Sequence, residues 1–396
     1  MINEQSLAYG KKSSIIREIF EYGKRRKAEI GSDKVFDFSL GNPSVPCPSV
    51  VTDALKELIE GTPAQILHGY TSAVGDNEAR AAIVEYLNKE YSTCERAENV
   101  YITVGAAASL TSTLNAILNE GDEVIVLAPF FPEYRVFVEK AGGKIVPVKS
   151  LPDSLLPDLD GIEGAITART KAIIINSPNN PSGVIIDENI LTRLAEILNR
   201  KSSELGADIF LISDEPYREL VYGEKKVPFV TKYYDNSIVC YSFSKSLSLP
   251  GERIGYVLVG SKCKNDRDVF YAICGSARSL GYVCAPSLFQ YIIPRVIGRT
   301  SDLSAYKRNR DTLYNALSEF GYSCVHPDGA FYLFVKALES DAKSFCERAK
   351  KYELLLVPSD DFGYEGYVRI SYCVSYDTIV NSLEAFKKLY KEYEEK

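Results

Sequence analysis

The sequence predicts an α/β fold with a mostly parallel sheet. Apolar runs with the character of buried strands alternate with helix-like segments from Val100 to Val259. Three of these runs end in polar, chemistry-bearing residues, as expected where a parallel sheet presents a ligand site at the carboxyl ends of its strands. With 396 residues, the chain is long enough for one large and one smaller domain.

Seven apolar runs account for the predicted sheet, and a helix from Ala106 to Leu118 follows the first of them. The predicted strands are Val100–Val104, Glu123–Leu127, Lys144–Val148, Lys171–Asn176, Ile209–Ser213, Ile238–Ser242 and Tyr256–Val259.

After Pro286 the pattern changes to that of a smaller α+β domain. A long helix is predicted over Leu288–Phe320, with possible breaks at Pro294 and Gly298. Short strands are predicted near Gly329–Phe334 and Tyr367–Tyr372, and a closing helix from Asp377.

Composition excludes several classes of function. The net charge of −7 argues against nucleic-acid binding, which usually needs a basic face. Two histidines and nine scattered cysteines give no metal site, zinc spacing or Ser-His triad, and the cysteines are predicted to be reduced thiols. The polar first ten residues do not form a signal peptide, and no run is long enough to span a membrane. We therefore expect a cytoplasmic enzyme.

Lys245 is the strongest chemical candidate. It lies in Ser-Phe-Ser-Lys at positions 242–245, directly after an apolar strand, and Arg253 follows eight residues later. A lysine amine can form a Schiff base with an aldehyde cofactor, of which pyridoxal 5′-phosphate is the commonest. Taken alone, this lysine is more simply explained as a solvated surface charge.

Asp214 and Tyr217 follow an earlier buried run, in Asp-Glu-Pro-Tyr at 214–217. A carboxylate at a strand end can hold a pyridine nitrogen protonated, and a tyrosine three residues on can reach the ring's phenolic oxygen. A helix N-cap and local packing are the simpler alternative.

A third segment, Ser-Pro-Asn-Asn-Pro-Ser-Gly at 177–183, also follows a buried strand. Asn180 can hydrogen-bond both a phenolic oxygen and a substrate carboxylate, although such a composition also makes a tight loop without any function.

These three segments, followed by Arg369 in Tyr-Val-Arg-Ile-Ser, together resemble the class I/II aminotransferases of fold type I, which depend on pyridoxal phosphate. The resemblance extends from about Ser14 to Arg369. It implies a seven-stranded sheet in a large cofactor-binding domain at 45–287, and a small domain formed by residues 1–44 and 288–396. It also implies catalytic roles for Lys245, Asp214 and Tyr217, with an amino acid and a 2-oxo acid as substrates in a ping-pong reaction.

The same resemblance implies how the rest of the site is assembled. Phe131 would stack on the pyridine ring, and Tyr70 would reach the phosphate of a neighbouring subunit, which makes the functional unit a homodimer. Arg369 would clamp the substrate α-carboxylate, helped by Asn180 and the backbone at Gly41. The implied phosphate ligands are Gly105, Ala106, Ala107, Ser242, Ser244 and Arg253.

The substrate side chain and the type of reaction stay open. Some aspartate aminotransferases of this family carry a lysine in the position of Ala107, and this chain lacks it. Another branch of the family uses an arginine from the partner subunit to bind a distal carboxylate, and Arg278 is a candidate for that residue. Aspartate therefore fits, and alanine, aromatic or broader amino acids stay open. A lyase, such as a C–S lyase, or a synthase like aminocyclopropane-carboxylate synthase would use the same motifs. A non-catalytic effector-binding domain is disfavoured by the acidic charge, and a nicotinamide dehydrogenase by the absence of G-x-G-x-x-G.

Overall fold

The computed structural model describes residues 2–11 and 14–395. Met1, Lys12, Ser13 and Lys396, which the sequence assigns to the small domain, lie outside the described residues. The helices are α1 Glu4–Lys11, α2 Ile15–Ile30, α3 Ser49–Gly61, α4 Ala64–Leu67, α5 Asn77–Tyr91, α6 Ala106–Ile117, α7 Glu133–Lys140, α8 Leu159–Ala165, α9 Glu188–Leu205, α10 Phe243–Ser246, α11 Asp266–Ser279, α12 Ser287–Val296, α13 Leu303–Phe320, α14 Ala342–Ala349 and α15 Tyr376–Glu394.

The strands form three sheets within the described residues. They are β1 Phe36–Asp37, β2 Val100–Thr103, β3 Glu123–Ala128, β4 Lys144–Lys149, β5 Thr170–Asn176, β6 Phe210–Asp214, β7 Ser237–Ser242, β8 Gly255–Val259, β9 Tyr332–Lys336, β10 Leu354–Leu355, β11 Val357–Pro358 and β12 Tyr367–Ser371.

The largest sheet has, among the described residues, seven strands in the order β2-β8-β7-β6-β5-β3-β4. β8 runs antiparallel to both of its neighbours, β2 and β7, and the other strand pairs of this sheet in the described residues are parallel. Helices cover both faces of this sheet. Because successive side chains of a strand point to opposite faces, its strands are apolar on both faces. Val124 and Val126 pack with α6 and α11, whereas Ile125 and Leu127 pack with α5 and α9. The predicted α/β class with a mostly parallel sheet is confirmed.

A second core forms around the antiparallel sheet β11-β12-β9 and the helices α13, α14 and α15. Leu313, Leu333 and Phe386 are buried there. The large and small sheets therefore have separate hydrophobic cores, and the cavity described below lies where they meet. The domain boundaries stay a prediction.

The predicted helix over Leu288–Phe320 is two helices, α12 and α13. They are separated at residues 297–302, where Gly298 has a φ of +74°, so the predicted break at Gly298 is confirmed and the one at Pro294 is wrong. Pro294 stays inside α12. This helix packs against α3 and α5 in the core of the seven-stranded sheet, although the sequence places it with the smaller unit.

None of the helices in the described ranges has the combination of length and apolar character that crossing a membrane requires.

Candidate active site

A cavity of about 280 Å³ opens at the carboxyl edge of the seven-stranded sheet. The register of β5, β6 and β7 explains why the candidate residues meet there. Asn176 at the end of β5 pairs with Asp214 at the end of β6, and Asp214 pairs with Cys240, two residues before Ser242 ends β7. In-register parallel strands thus deliver three polar ends to one edge.

Most of the predicted site residues line this cavity. Those that do are Gly41, Ala106, Ala107, Phe131, Asn180, Asp214, Tyr217, Ser242, Ser244, Lys245, Arg253 and Arg369. Gly105 lies directly behind Arg253, since a Cβ at Gly105 would fall 2.7 Å from Arg253 Nη2. Tyr70 is 96% exposed and does not line the cavity in this chain.

Asp214 is buried, and its two carboxylate oxygens have different surroundings. Oδ2 accepts a hydrogen bond of 2.6 Å from the Tyr134 hydroxyl, whereas Oδ1 has no partner among the described residues. Burial raises the pKa of this carboxyl to about 7, and the Tyr134 hydrogen bond opposes the rise. An unpaired buried carboxylate oxygen beside a cavity is suited to a cationic N–H ligand.

Asn176 fixes the loop that follows β5. Its Nδ2 donates to the Asp214 carbonyl oxygen at 2.8 Å, and its Oδ1 accepts from the Asn180 backbone N–H at 2.7 Å. These bonds link the ends of two strands and orient Asn180 toward the cavity.

Lys245 is half-buried and faces the cavity from α10. Its Nζ donates to the Gly41 carbonyl oxygen at 2.5 Å. Burial lowers the pKa of its ammonium to about 8, and the nearby Arg369 and Arg253 add to the lowering. A larger fraction of this amine is therefore neutral near pH 7.5 than of an exposed lysine, which favours nucleophilic attack and proton transfer.

An anion-binding corner lies at the start of α6. Gly105 precedes this helix with a φ of +97°, and no side chain in the described part of the chain caps the first turn. The Ser242 and Ser244 hydroxyls, which line the same cavity, are hydrogen-bonded to each other with an Oγ–Oγ distance of 2.7 Å. The exposed Arg253 contributes a positive charge. A helix N-terminus, two hydroxyls and a guanidinium form a suitable receptor for a phosphate group.

Arg369 is buried in β12 with neutral hydrogen-bond partners. Its Nη1 donates to Asn180 Oδ1 at 3.2 Å and its Nη2 to the Ser39 carbonyl at 2.5 Å, while Nε has no partner among the described residues. A guanidinium held in this way can exchange such contacts for a bidentate bond to a carboxylate.

The residues present fit pyridoxal phosphate. The unpaired Asp214 oxygen suits its pyridine nitrogen, Phe131 presents an aromatic ring at the cavity wall, and the corner at α6 suits its phosphate. The Lys245 amine suits its aldehyde.

Sequence reasoning missed three residues of this site: Tyr134, Asn176 and Tyr332. Asn176 ends a strand just as Asp214 does, so its position was a usable signal. Tyr134 and Tyr332 meet their partners across 80 and 115 residues of sequence, and no local pattern indicates such contacts.

Comparison with known proteins shows one consistent family. The family model "Aminotransferase class I and II" matches residues 33–386. The aspartate aminotransferase of Thermotoga maritima is 30% identical over 378 residues, covering 93% of this chain and 95% of that protein. An aminotransferase structure from Eubacterium rectale is 53% identical with a TM-score of 0.97, covering 99% of both chains. The Thermus thermophilus aspartate aminotransferase with maleate is 29% identical with a TM-score of 0.85, covering 98% of this chain and 99% of that one.

Removing the charge of Asp214 should stabilise the cofactor-free protein at alkaline pH. The folded-state pKa of about 7 exceeds the ordinary value of 3.8, so the folded protein holds this proton more tightly than the unfolded chain does. The free energy of unfolding of the wild type therefore falls by the contribution of this one group as the pH rises from about 4 to about 7. Asp214→Asn keeps the shape without titrating. We expect its free energy of unfolding at pH 8 to exceed that of wild type by up to about 4 kcal/mol, with little difference near pH 4.

Urea unfolding of cofactor-free protein between pH 4 and 8 measures this difference. Asp153→Asn is the matched control, because Asp153 is exposed and its carboxylate meets water in both states. The same pH dependence in Asp214→Asn and wild type would show that the buried carboxylate is not destabilised by ionisation.

Proposed function

Because this chain belongs to the class I and II aminotransferase family, whose members use pyridoxal phosphate, we propose that the cavity at the carboxyl edge of its large sheet carries out amino transfer. The reaction moves an amino group from an amino acid to a 2-oxo acid. The observation that carries the assignment of the site is the half-buried Lys245, whose amine shares one cavity with an unpaired Asp214 oxygen and a buried Arg369.

In this proposal, Lys245 has two tasks at one atom. Its Nζ binds the cofactor aldehyde covalently and, once released by the incoming amino acid, moves the α-proton of the substrate. Its lowered pKa supports both tasks, since only the neutral amine can attack or accept a proton. When bound, pyridoxal phosphate supplies the ring that takes up the electron pair left by that proton.

The other residues bind and orient. Asp214 keeps the ring nitrogen protonated, and Phe131 stacks on the ring. Tyr217 and Asn180 hydrogen-bond the phenolic oxygen. The phosphate is held by Gly105, Ala106, Ala107, Ser242, Ser244 and Arg253.

Arg369 binds the substrate α-carboxylate, with Asn180 and the Gly41 backbone beside it. The present hydrogen-bond partners of Arg369 are neutral, so a carboxylate ligand provides the negative charge that is otherwise missing beside the guanidinium.

We propose a homodimer as the functional unit. Tyr70 is almost fully exposed, and exposed apolar side chains elsewhere on the same chain include Ile66, Leu280 and Val283. A second copy would cover these residues, and we propose, as the family resemblance implies, that its Tyr70 reaches the phosphate corner. A cytoplasmic location stays a prediction of the sequence.

The names of the relatives support aspartate as the amino donor. A second carboxylate needs its own cation, yet the cations lining the cavity are Lys245, Arg253 and Arg369, which already have roles. Arg278 is exposed near the end of α11 and does not line the cavity of its own chain. We therefore propose that Arg278 of a second copy binds the distal carboxylate.

Lys245→Ala should abolish turnover, because no other lysine in the described part of the chain lines the cavity to provide both the covalent attachment and the proton transfer. Amino transfer is followed as 2-oxo acid formed from a panel of amino donors with 2-oxoglutarate as acceptor. Lys264→Ala, which removes an exposed lysine paired with Asp208, is the control. Near-wild-type transfer by Lys245→Ala would remove this residue from the role assigned to it.

Arg278→Ala should lower kcat/KM for aspartate by about 10- to 100-fold, the strength of a charge-assisted hydrogen bond, and leave alanine unchanged. Steady-state kinetics with both donors measures the ratio. Arg295→Ala is the control, because that arginine is also exposed but pairs with Glu57. Equal losses for aspartate and alanine would contradict a role at the distal carboxylate.

Mixing two subunits that are each defective with aspartate tests the dimer directly. Lys245→Ala and Arg278→Ala subunits, refolded together, should regain aspartate activity of about a quarter of wild type, since half of the random pairs are mixed and each mixed pair holds one intact site. The rescued activity is measured against each variant alone. Absence of rescue, with mixed pairs demonstrated by differently tagged subunits, would place Arg278 and Lys245 in the same chain's site or exclude Arg278 from it.

A further inference from the structure

Tyr332 is the residue that connects the two halves of the cavity. It begins β9, is 3% exposed and lines the cavity wall. Its hydroxyl lies 2.9 Å from the Tyr217 hydroxyl, and the Arg369 guanidinium carbon lies 4.5 Å from its ring centroid. None of the motifs in the sequence includes it.

The Tyr332 hydroxyl also explains why position 41 is a glycine. A Cβ at Gly41 would lie 1.9 Å from Tyr332 Oη, far inside van der Waals contact. The carbonyl of the same glycine accepts the hydrogen bond from Lys245 Nζ. The hydroxyl is therefore held between Tyr217 and the backbone that Lys245 contacts.

The Tyr217 and Tyr332 hydroxyls carry two protons between them, and the hydrogen bond that joins them uses only one. Burial raises the pKa of both Tyr217 and Tyr332, so both phenols stay protonated near neutral pH. When Tyr332 donates to Tyr217, the Tyr217 proton is free for a different acceptor. Chains of hydroxyls of this kind also strengthen the outer bond, because each accepted bond makes the donor more polar.

The ring of Tyr332 has a separate task. Arg369 is buried without a charged hydrogen-bond partner, and the electron-rich face of an aromatic ring attracts a guanidinium at this distance. Phe362 lies at 5.3 Å from the same guanidinium carbon. The two rings hold the arginine in place without occupying its N–H groups, which now donate to neutral acceptors at Nη1 and Nη2 and have no partner among the described residues at Nε.

We propose that Tyr332 is a positioning residue with two separable actions. Its hydroxyl donates to Tyr217 and directs the Tyr217 proton to the phenolic oxygen of the cofactor. Its ring holds Arg369 for the substrate α-carboxylate. The proposal rests on the proposed function of the cavity, and it adds a residue that links binding of the cofactor to binding of the substrate.

Two substitutions separate these actions in the holoenzyme. Tyr332→Phe removes the hydroxyl and keeps the ring. A hydrogen bond to the phenolic oxygen stabilises its negative charge, which is fullest when the lysine-bound cofactor has lost its proton. We therefore expect the pH midpoint of the visible absorption band to rise by about 0.5 to 1 unit, while KM for amino donors changes less than about twofold.

Tyr332→Leu removes the ring as well. It should show the same shift of the midpoint and, in addition, raise KM by about 5- to 30-fold, the loss expected for a cation–π contact that is buried. Tyr322→Phe is the control for losing a buried hydroxyl, since the Tyr322 hydroxyl bonds the Phe386 carbonyl in the core of the small sheet. That variant should leave both midpoint and KM unchanged.

A double-mutant cycle tests whether Tyr332 acts through Tyr217. In a Tyr217→Phe background, Tyr332→Phe should give no further shift of the midpoint, because the hydroxyl it orients is gone. Additive shifts, or no shift in Tyr332→Phe alone, would overturn the hydroxyl's role. An unchanged KM in Tyr332→Leu would overturn the role of the ring.

Failure of the proposed function would look different. In that case wild-type protein incubated with pyridoxal phosphate would show no band that titrates, and hydride reduction would leave no label on Lys245. If the wild-type absorption band titrates and the shifts of its pH midpoint in the Tyr217 and Tyr332 variants are additive, only the inference about Tyr332 is contradicted.

Discussion

A carboxylate buried with one oxygen unpaired is the constraint on which the rest of this site depends. Asp214 lies at the end of a strand that is apolar on both faces, and its Oδ1 has no partner within the described chain. Such a group costs free energy unless a cation meets it or a proton neutralises it. Tyr134 satisfies only Oδ2. The sheet thus keeps a charge in place for a cationic ligand, and the parallel register of β5, β6 and β7 determines what surrounds that ligand.

The small sheet holds a buried cation, Arg369, opposite in charge to the buried carboxylate of the large sheet. Arg369 and Tyr332 lie on paired strands, where β12 runs antiparallel to β9. The hydrogen-bond partners of Arg369 are an amide and a carbonyl, and two aromatic rings cover its faces. Neutral groups hold the guanidinium without cancelling its charge, so its attraction for an anion is kept. One cavity therefore presents a cation and an anion that are not paired with each other, which is the arrangement that a zwitterionic substrate and a charged cofactor require.

Local motifs were enough to predict most of the side chains that line the cavity. Asp214, Asn180 and Lys245 lie at or just after strand ends whose apolar pattern is visible in the sequence, whereas Arg369 lies inside β12 and was predicted from the family resemblance alone. The residues that support them could not be found in the same way. Tyr134 reaches Asp214 from α7, and Tyr332 reaches Tyr217 from another sheet, so these contacts depend on tertiary packing. Of the two breaks predicted within Leu288–Phe320, only the one at Gly298 separates α12 from α13. Pro294 stays inside α12, whereas Gly298 adopts a positive φ just beyond the end of that helix.

The contact between Tyr217 and Tyr332 has a mechanical consequence. Tyr332 and Arg369 belong to one small antiparallel sheet, so they move together, whereas Tyr217 follows β6 of the large sheet. Any displacement of one sheet relative to the other changes the Tyr217–Tyr332 distance and the position of the arginine at the same time. A carboxylate that draws Arg369 inward therefore also alters the hydroxyl pair beside Lys245. Two hydroxyls at 2.9 Å are sensitive to such a change, because hydrogen bonds weaken steeply with distance and angle. In the proposed function, this pair of tyrosines couples recognition of one end of the substrate to the electrostatics at the reacting end.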